Sequence, residues 1–190
     1  MAGQALKGFW GELKLRLVMF FLLGSGYKKF HNVTVLLSNG KTSQIDHVVV
    51  SRYGVFVIET KNYKGMITVN ENTGYWTQSF SRNSYQFYSP IRQNKGHISS
   101  MKYMLKNKDY PYFNIVSFVG DAKFTDRDLP EGVAKSVWSS VWLLRKWRKK
   151  ALSKNEVKMI ARHIKERRMP NNRKTKKIHL QNVKSRQQER

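Results

Sequence analysis

The chain has 190 residues, of which 36 are Lys or Arg and 12 are Asp or Glu, so its formal net charge is +24. Hydrophobic residues make up 40% of it, enough for a folded core, which argues against global disorder. The absence of cysteine excludes disulfides, zinc-thiolate sites and thiol chemistry, and we expect a cytoplasmic protein. Such a charge favours a polyanionic partner, with nucleic acid first and an anionic membrane second.

The positive charge is concentrated at the C-terminus, where residues 145–190 carry 18 basic and 3 acidic side chains. No apolar periodicity follows Pro170, which predicts a flexible basic tail over residues 170–190. We expect three segments before it: an N-terminal helical segment (1–26), a core domain (27–141) and C-terminal helices (142–169). The sequence leaves the oligomeric state open.

Helical and strand patterns alternate along the core. An apolar run predicts a helix over residues 12–23, too short for the roughly 20 residues of a membrane span. It is interpreted as a buried helix, with interfacial membrane association through residues 13–23 as the alternative. The further predictions are strands at 32–37, 43–50 and 55–61, a hairpin at 66–69 and 75–80, a helix from Ser89-Pro90 to Leu105, a strand at 115–119, and helices at 141–150 and 153–168. This order predicts an α/β fold with a mixed sheet, an α-β-β-β-α-β core and flanking helices.

The second and third strands form the hairpin that carries the predicted chemistry. A turn centred between Arg52 and Tyr53 places Asp46 opposite Glu59, and two like charges so paired destabilise a sheet unless a cation joins them. Lys61 shares the face of Glu59, because side chains alternate along a strand. Thr60 points the other way and offers its backbone carbonyl. These hard oxygen ligands suit Mg²⁺ or Mn²⁺.

A cation held by Asp46 and Glu59 would polarise a scissile phosphate and lower the pKa of a bound water. Lys61 would orient that water or offset the charge that develops on the phosphate. The alternative interpretation of these charges is a surface ion pair at the end of a strand.

The hairpin motif resembles the nuclease-related domain (NERD) family, which belongs to the PD-(D/E)xK, restriction-endonuclease-like group. The residues that carry the resemblance are Gln44 to His47 and the run from Tyr53 to Gly65. Flanking matches are Gly11-Glu12, the Pro90 to Asn94 segment and the strand from Val116 to Gly120. Ile45 stands where the larger group has its proline, a mild departure because proline is not a ligand.

The resemblance implies a restriction-endonuclease-like fold and a metal-dependent deoxyribonuclease acting in DNA processing. By position, it implies that Asp46, Glu59 and Lys61 are the catalytic core and that Glu12 and Gln93 are auxiliary catalytic residues. A helix-dipole role for Glu12 and a capping role for Gln93 remain alternatives. The rival functions are a non-catalytic nucleic-acid-binding module, with DNA or RNA as partner, and a basic protein of the membrane surface.

Residues outside the hairpin are interpreted more simply. His47 points away from the carboxylates and is predicted to be a packed histidine, and the other histidines show no ligand spacing. Trp138 and Trp142, four residues apart, are predicted to lie in the core, and the aromatic stretch from Tyr75 to Tyr88 is predicted to pack, with a substrate groove as the alternative. The predicted nucleic-acid-binding residues are Arg145, Lys146, Arg148, Lys149, Lys150, Arg173, Lys174, Lys176 and Lys177.

Overall fold

The computed structural model describes residues 2–126, 129–147 and 149–188. Its elements are α1 (Ala2–Leu22), β1 (Lys28–Leu36), β2 (Thr42–Ser51), β3 (Gly54–Lys61), β4 (Gly65–Thr68), β5 (Tyr75–Ser79), β6 (Ser84–Tyr88), α2 (Pro90–Met104), β7 (Tyr112–Phe118), β8 (Ala122–Phe124), β9 (Val133–Ala134), α3 (Val137–Lys146), α4 (Lys154–Arg167) and α5 (Arg173–Gln188). The predicted core order is present as α1, β1, β2, β3, α2 and β7. The predicted α/β fold class is therefore confirmed.

The main sheet has five strands in the order β1-β2-β3-β7-β9. The first three strands pair antiparallel, whereas β3, β7 and β9 pair in parallel. β3 is central, and its residues are apolar on both faces, as is typical of a strand that is covered on both sides. His47 lies opposite Ile58 and Ser51 lies opposite Gly54. The predicted register of the hairpin is therefore confirmed.

Helices cover both faces of this sheet and bury its core. Met101 of α2 and Ile160 of α4 pack with Val57 on one face. Leu15 of α1 packs with Phe56 on the other face, where α3 also contributes. The alternation of side chains along β3 thus divides the domain into a layer of α2 and α4 and a layer of α1 and α3.

A second sheet, in the order β6-β5-β4-β8, contains the aromatic stretch. The predicted hairpin is present, since Met66 pairs with Ser79 across β4 and β5. Trp76 is fully buried and stacks on Phe118 of β7, with ring centroids 6.0 Å apart, which joins the two sheets. The packing prediction is wrong for four members of the stretch. Two of them lie on the outer face of this small sheet, and the other two lie at its far end, beyond the part that Trp76 covers. Those exposed aromatics are Tyr75, Phe80, Tyr85 and Tyr88.

Helix α3 begins four residues before the predicted start, because Ser136 and Ser139 form a capping box. The buried face of α3 contains Val141 and Leu144, whereas Trp138 and Trp142 lie on the opposite, outward side. The prediction that these two tryptophans lie in the core is wrong. α1 also exceeds its prediction, since it starts at Ala2 instead of residue 12.

The prediction of a flexible tail is wrong over residues 173–188, which form α5 and pack against β2. Asn172 caps the helix by accepting a hydrogen bond from the Thr175 N–H (2.9 Å). Asn182 accepts from the Thr42 N–H (2.8 Å), and His179 Nδ1 lies 3.0 Å from Thr42 Oγ1. The anchors of α5 are polar side chains, so a search for apolar periodicity does not detect it.

His47 lies in the α1 layer, away from the carboxylates, as predicted. Its Nδ1 is 2.7 Å from Nδ1 of His31, and the side chain is buried. Burial, together with the charges of His31 and Arg16, lowers the pKa of His47 to about 3. The prediction of a packed histidine is confirmed.

Candidate active site

The candidate site lies where β2 and β3 diverge. The paired ladder ends at His47 and Ile58, so Asp46 and Glu59 occupy the next position along the hairpin. The Asp46 carboxylate accepts a hydrogen bond from the Thr60 N–H through Oδ2 (2.7 Å). Asp46 thereby replaces a main-chain partner of β3 and ties the two strands together at their point of separation.

Glu59 is the centre of the site and is buried. Its Oε1 accepts hydrogen bonds from Lys61 Nζ (2.7 Å) and Gln93 Nε2 (2.8 Å), and its Oε2 lies 3.3 Å from His97 Nε2. Burial alone would raise the pKa of Glu59, but the charge of Lys61 and the contact with His97 outweigh it, so the pKa is lowered. Glu59 is therefore ionised at neutral pH.

Lys61 shares the face of Glu59, as predicted, and is mostly enclosed. Its Nζ donates to Glu59 Oε1 and also to Gln93 Oε1 (3.0 Å). Burial would lower the pKa of Lys61, but the adjacent Glu59 carboxylate prevails and raises it. The ammonium group is thus charged and held by two partners, which is the preorganisation that charge stabilisation requires.

Glu12 reaches the site from α1 because Gly11 permits a close approach of this helix. A Cβ at Gly11 would lie 2.6 Å from Val119 Cγ2 and 3.0 Å from Asn62 Cβ. Burial, then the charge of Glu59, raises the pKa of Glu12, and Lys176 of α5 partly offsets this rise. The Gly11-Glu12 pair therefore has a physical reason. Glycine allows α1 to pack closely against Val119 and Asn62, and this packing places the Glu12 carboxyl group near Glu59.

Asp46 is the carboxyl group most affected by this crowding. Its pKa is raised well above the usual range by desolvation, then by the charges of Glu59 and Glu12, against a smaller lowering by the Thr60 N–H. Three carboxyl groups thus interact at one end of the hairpin, and Glu59 is the one of the three that forms an ion pair with Lys61, which keeps it ionised.

The sequence interpretation missed His97. It lies four residues after Gln93, one helical turn along α2, so both reach Glu59 from the same side. Ser43 Oγ lies 3.0 Å from the other ring nitrogen, Nδ1, and fixes the ring. The four-residue spacing of Gln93 and His97 indicates that both lie on one side of α2. It predicts a contact with Glu59 only when the position of Glu59 relative to α2 is already known.

Asn94 was named only as part of the resemblance, and the structure explains it. This buried side chain donates through Nδ2 to the carbonyl oxygens of Val57 (2.8 Å) and Ile115 (3.1 Å), and to Asn114 Oδ1 (2.7 Å). It therefore attaches α2 to β3 and β7 at the residue next to Gln93, which sets the position of the Gln93 amide.

The sequence comparisons agree with this geometry. A model of the nuclease-related domain family matches residues 7–119, more than half of the chain. The chain belongs to this family. The resemblance seen in the hairpin is confirmed, and the mixed sheets with flanking helices are the restriction-endonuclease-like fold of this nuclease-related domain.

An uncharacterized protein of Bacillus anthracis is 38% identical over 112 residues, which are 59% of this chain and 52% of the relative. The chain thus spans about half the length of this curated relative. No solved structure matches the chain significantly.

The donor chemistry of the nuclease-related site fits a hard divalent cation. Asp46 and Glu59 supply adjacent carboxylates, and a cation would offset both the desolvation and the charge repulsion that raise the pKa of Asp46. Across the described residues, no three His, Cys, Asp or Glu side chains form a metal-binding group. The remaining ligands would be main-chain or water oxygens, for which the Thr60 carbonyl stays the prediction.

The structure separates the predicted nucleic-acid-binding residues into two sets. The first set is exposed on α5, whose Lys176 is close enough to influence Glu12: Arg173, Lys174, Lys176 and Lys177. The second set ends α3 or follows it: Arg145, Lys146, Lys149 and Lys150, while Arg148 lies outside the described residues. Ala151 and Leu152, just after this second set, donate to the Arg52 carbonyl at the β2–β3 turn, about 20 Å along the hairpin from Asp46. Only the α5 set lies beside the candidate site.

Proposed function

We propose that this nuclease-related domain hydrolyses phosphodiester bonds of DNA with Mg²⁺ or Mn²⁺. The observation that carries the proposal is the enclosed group of Glu59, Lys61 and Gln93 next to Asp46. Enclosing a lysine and two carboxylates at one place costs stability, so a surface ion pair would not account for the arrangement. A protein that only binds nucleic acid would need positive charge on its surface and no such cluster.

Each residue has a distinct part in the proposed reaction. Asp46 and Glu59 would hold the cation, which supplies Lewis-acid polarisation of the phosphate when bound. Lys61 places a fixed positive charge where negative charge develops on the phosphate. Gln93 contacts both Glu59 and Lys61 and keeps their side chains in place.

The net charge of +24 and the basic helix α5 support a polyanionic substrate. We propose that DNA follows the exposed face of α5 into the site, since this helix is fixed to β2 through Thr42. RNA is the alternative substrate, and the cleavage experiment below compares the two.

The proposal is tested by incubating wild-type protein and Glu59→Gln with plasmid DNA and with single-stranded and duplex oligonucleotides of DNA and RNA. Mg²⁺, Mn²⁺ and EDTA are compared in parallel. We expect metal-dependent cleavage of DNA by wild-type protein and a loss of about 10²-fold or more in Glu59→Gln. Glu131→Gln, which alters an exposed glutamate outside the cluster, should cleave like wild type. Tight DNA binding by a folded wild-type protein that cleaves nothing with either metal would favour the non-catalytic binding module.

The α5 set should contribute more to DNA affinity than the α3 set. The two variants to compare replace four basic residues each by glutamine: Arg173, Lys174, Lys176 and Lys177, or Arg145, Lys146, Lys149 and Lys150. If all four α5 residues meet phosphates, the slope of log affinity against log salt should fall by about 3 to 4. The matched α3 variant removes the same charge and should change the slope much less. Equal changes in the two slopes would refute a DNA path along α5.

A further inference from the structure

Helix α1 is apolar on both sides, although only one side is buried. Leu15, Met19 and Leu23 pack into the core under the main sheet. On the outer side, Phe20 and Phe21 are 67% and 76% exposed. A helix at the surface of a soluble domain is expected to present polar residues outward. The outer side of α1 departs from this expectation.

Helix α3 extends this surface. It packs beside α1 on the same face of the main sheet, so the outer sides of the two helices face in the same direction. Trp138 and Trp142, one turn apart, are 66% and 61% exposed there. We call the combined surface the aromatic face; its members are Trp10, Leu17, Phe20, Phe21, Trp138 and Trp142. Six exposed large apolar residues on two adjacent helices differ from the single, scattered apolar residues that a protein surface normally shows.

Positive charge borders the aromatic face. A cavity of about 830 Å³ lies between α1, β1 and α4, where Leu17 and Phe20 meet a group of cations, and the described residues that line it include no carboxylate. The cations are Arg16, Lys28, Lys29, Lys158, Arg162 and Lys165. Lys29 Nζ lies 5.9 Å from the centre of the Phe20 ring, so charge and apolar surface are in direct contact. A ligand that matches this surface has an anionic head next to a hydrocarbon portion.

We propose that the aromatic face binds peripherally to a bilayer that contains anionic lipids. Aromatic side chains with Lys and Arg alongside are the composition of helices that lie in the membrane interface. No helix in the described part of the chain has an apolar stretch long enough to cross a bilayer, so α1 would lie in the plane of the surface. Two other partners fit this surface less well. A nucleic acid would gain little from contact with the apolar Leu17 side chain, and a second copy of the chain would place the same cations against each other, which is repulsive.

Membrane binding goes beyond the proposed nuclease function and is compatible with it. Glu59 and Lys61 alternate with Ile58 along β3, and so they lie on the α2 side of the main sheet. The aromatic face lies on the α1 and α3 side. A membrane bound to the α1 and α3 side would leave α2 and α5 accessible to DNA. The proposed nuclease site would then face away from the bilayer.

Vesicle flotation of the full chain tests the proposal. Wild-type protein is mixed with phosphatidylcholine vesicles, with and without about 30 mol% phosphatidylglycerol. We expect flotation with the anionic vesicles and at least about tenfold weaker binding to the neutral ones. Phe20→Gln combined with Phe21→Gln should lower anionic-vesicle binding at least about tenfold, because two exposed apolar groups are lost.

The control is Tyr75→Gln combined with Tyr85→Gln, which removes two exposed aromatic residues from the second sheet. Its flotation should equal that of wild type, and the melting temperature of each variant confirms that it is folded. Equal flotation of the Phe20 and Phe21 variant and wild type would reduce the effect to adsorption of a basic protein and overturn the proposal. An absence of wild-type flotation would also overturn it. The same holds if the wild-type protein is a dimer that the Phe20 and Phe21 variant converts to monomers, or if that variant loses DNA affinity and keeps its vesicle binding.

Discussion

Lys61→Ala is expected to lower metal-dependent DNA cleavage by about 10²- to 10³-fold while DNA affinity changes little. The Lys61 ammonium is fixed by Glu59 and Gln93, and therefore acts on charge that appears only in the transition state. As a phosphate anchor it would be one of 36 positive charges, and its loss would weaken binding slightly. Cleavage rate and affinity, measured at one salt concentration, separate these two roles.

Lys64→Ala is the matched control for this experiment. Lys64 lies three residues further on, its side chain is 66% exposed, and its Nζ is 3.7 Å from an Asp121 carboxylate oxygen. Exposed pairs of this kind contribute little, so we expect nearly wild-type cleavage. The melting temperature must be measured as well, because Lys61→Ala removes the ion-pair partner of the buried Glu59 carboxylate. Equal, small losses of cleavage in the two folded variants would make Lys61 an ordinary surface lysine.

The hairpin was predictable from the sequence because its information is local. Side chains alternate with a period of two, and the turn at Arg52 and Tyr53 fixes which residues face each other. Because His47 pairs with Ile58, Asp46 and Glu59 are neighbours at the next position, and this can be predicted without knowing the rest of the fold. The start of α2 was predictable for the same reason, since Ser89 caps it by accepting from the Arg92 N–H (3.4 Å).

Contacts made by distant polar residues were not predictable in this way. His97 reaches Glu59 from α2, and its partner Ser43 comes from the far end of β2. α5 is attached to Thr42 by His179 and Asn182, whose spacing looks like that of any polar segment. Hydrophobic periodicity reports burial of apolar groups and is silent about helices that dock through hydrogen bonds.

The outward faces of α1 and α3 show the opposite failure. The apolar residues there are numerous enough to predict burial, and the structure leaves them exposed because α1 and α3 already fill the sheet with their other sides. An apolar pattern predicts that a face will be covered, and it does not say by what. For α1 and α3, the partner we propose is a lipid surface.

Asp46→Asn is expected to abolish the thermal stabilisation that Mg²⁺ or Mn²⁺ gives to the wild-type protein. A ligand that binds only the folded state stabilises it by about 2.7 kcal/mol at a concentration 100 times Kd. For a domain of this size, that corresponds to a rise in melting temperature of several degrees, at about 2 to 4 °C per kcal/mol. Asp121→Asn, at an exposed carboxylate, is the control and should keep the full shift.

Without metal, Asp46→Asn should melt at the same temperature as wild type or higher, because an amide is not repelled by Glu59 and Glu12.

The pH dependence of wild-type stability has a definite sign. The folded pKa of Asp46 is raised, so the folded state holds its proton more tightly than the unfolded chain, and wild-type stability falls as the pH rises toward the folded pKa. Acidification through the folded pKa of Asp46, toward its lower unfolded value, should therefore stabilise wild type relative to Asp46→Asn. The same acidification should weaken the metal-induced shift, since proton and cation compete for one carboxylate. If saturating Mn²⁺ shifts neither protein, or shifts both equally, Asp46 and Glu59 do not share a cation.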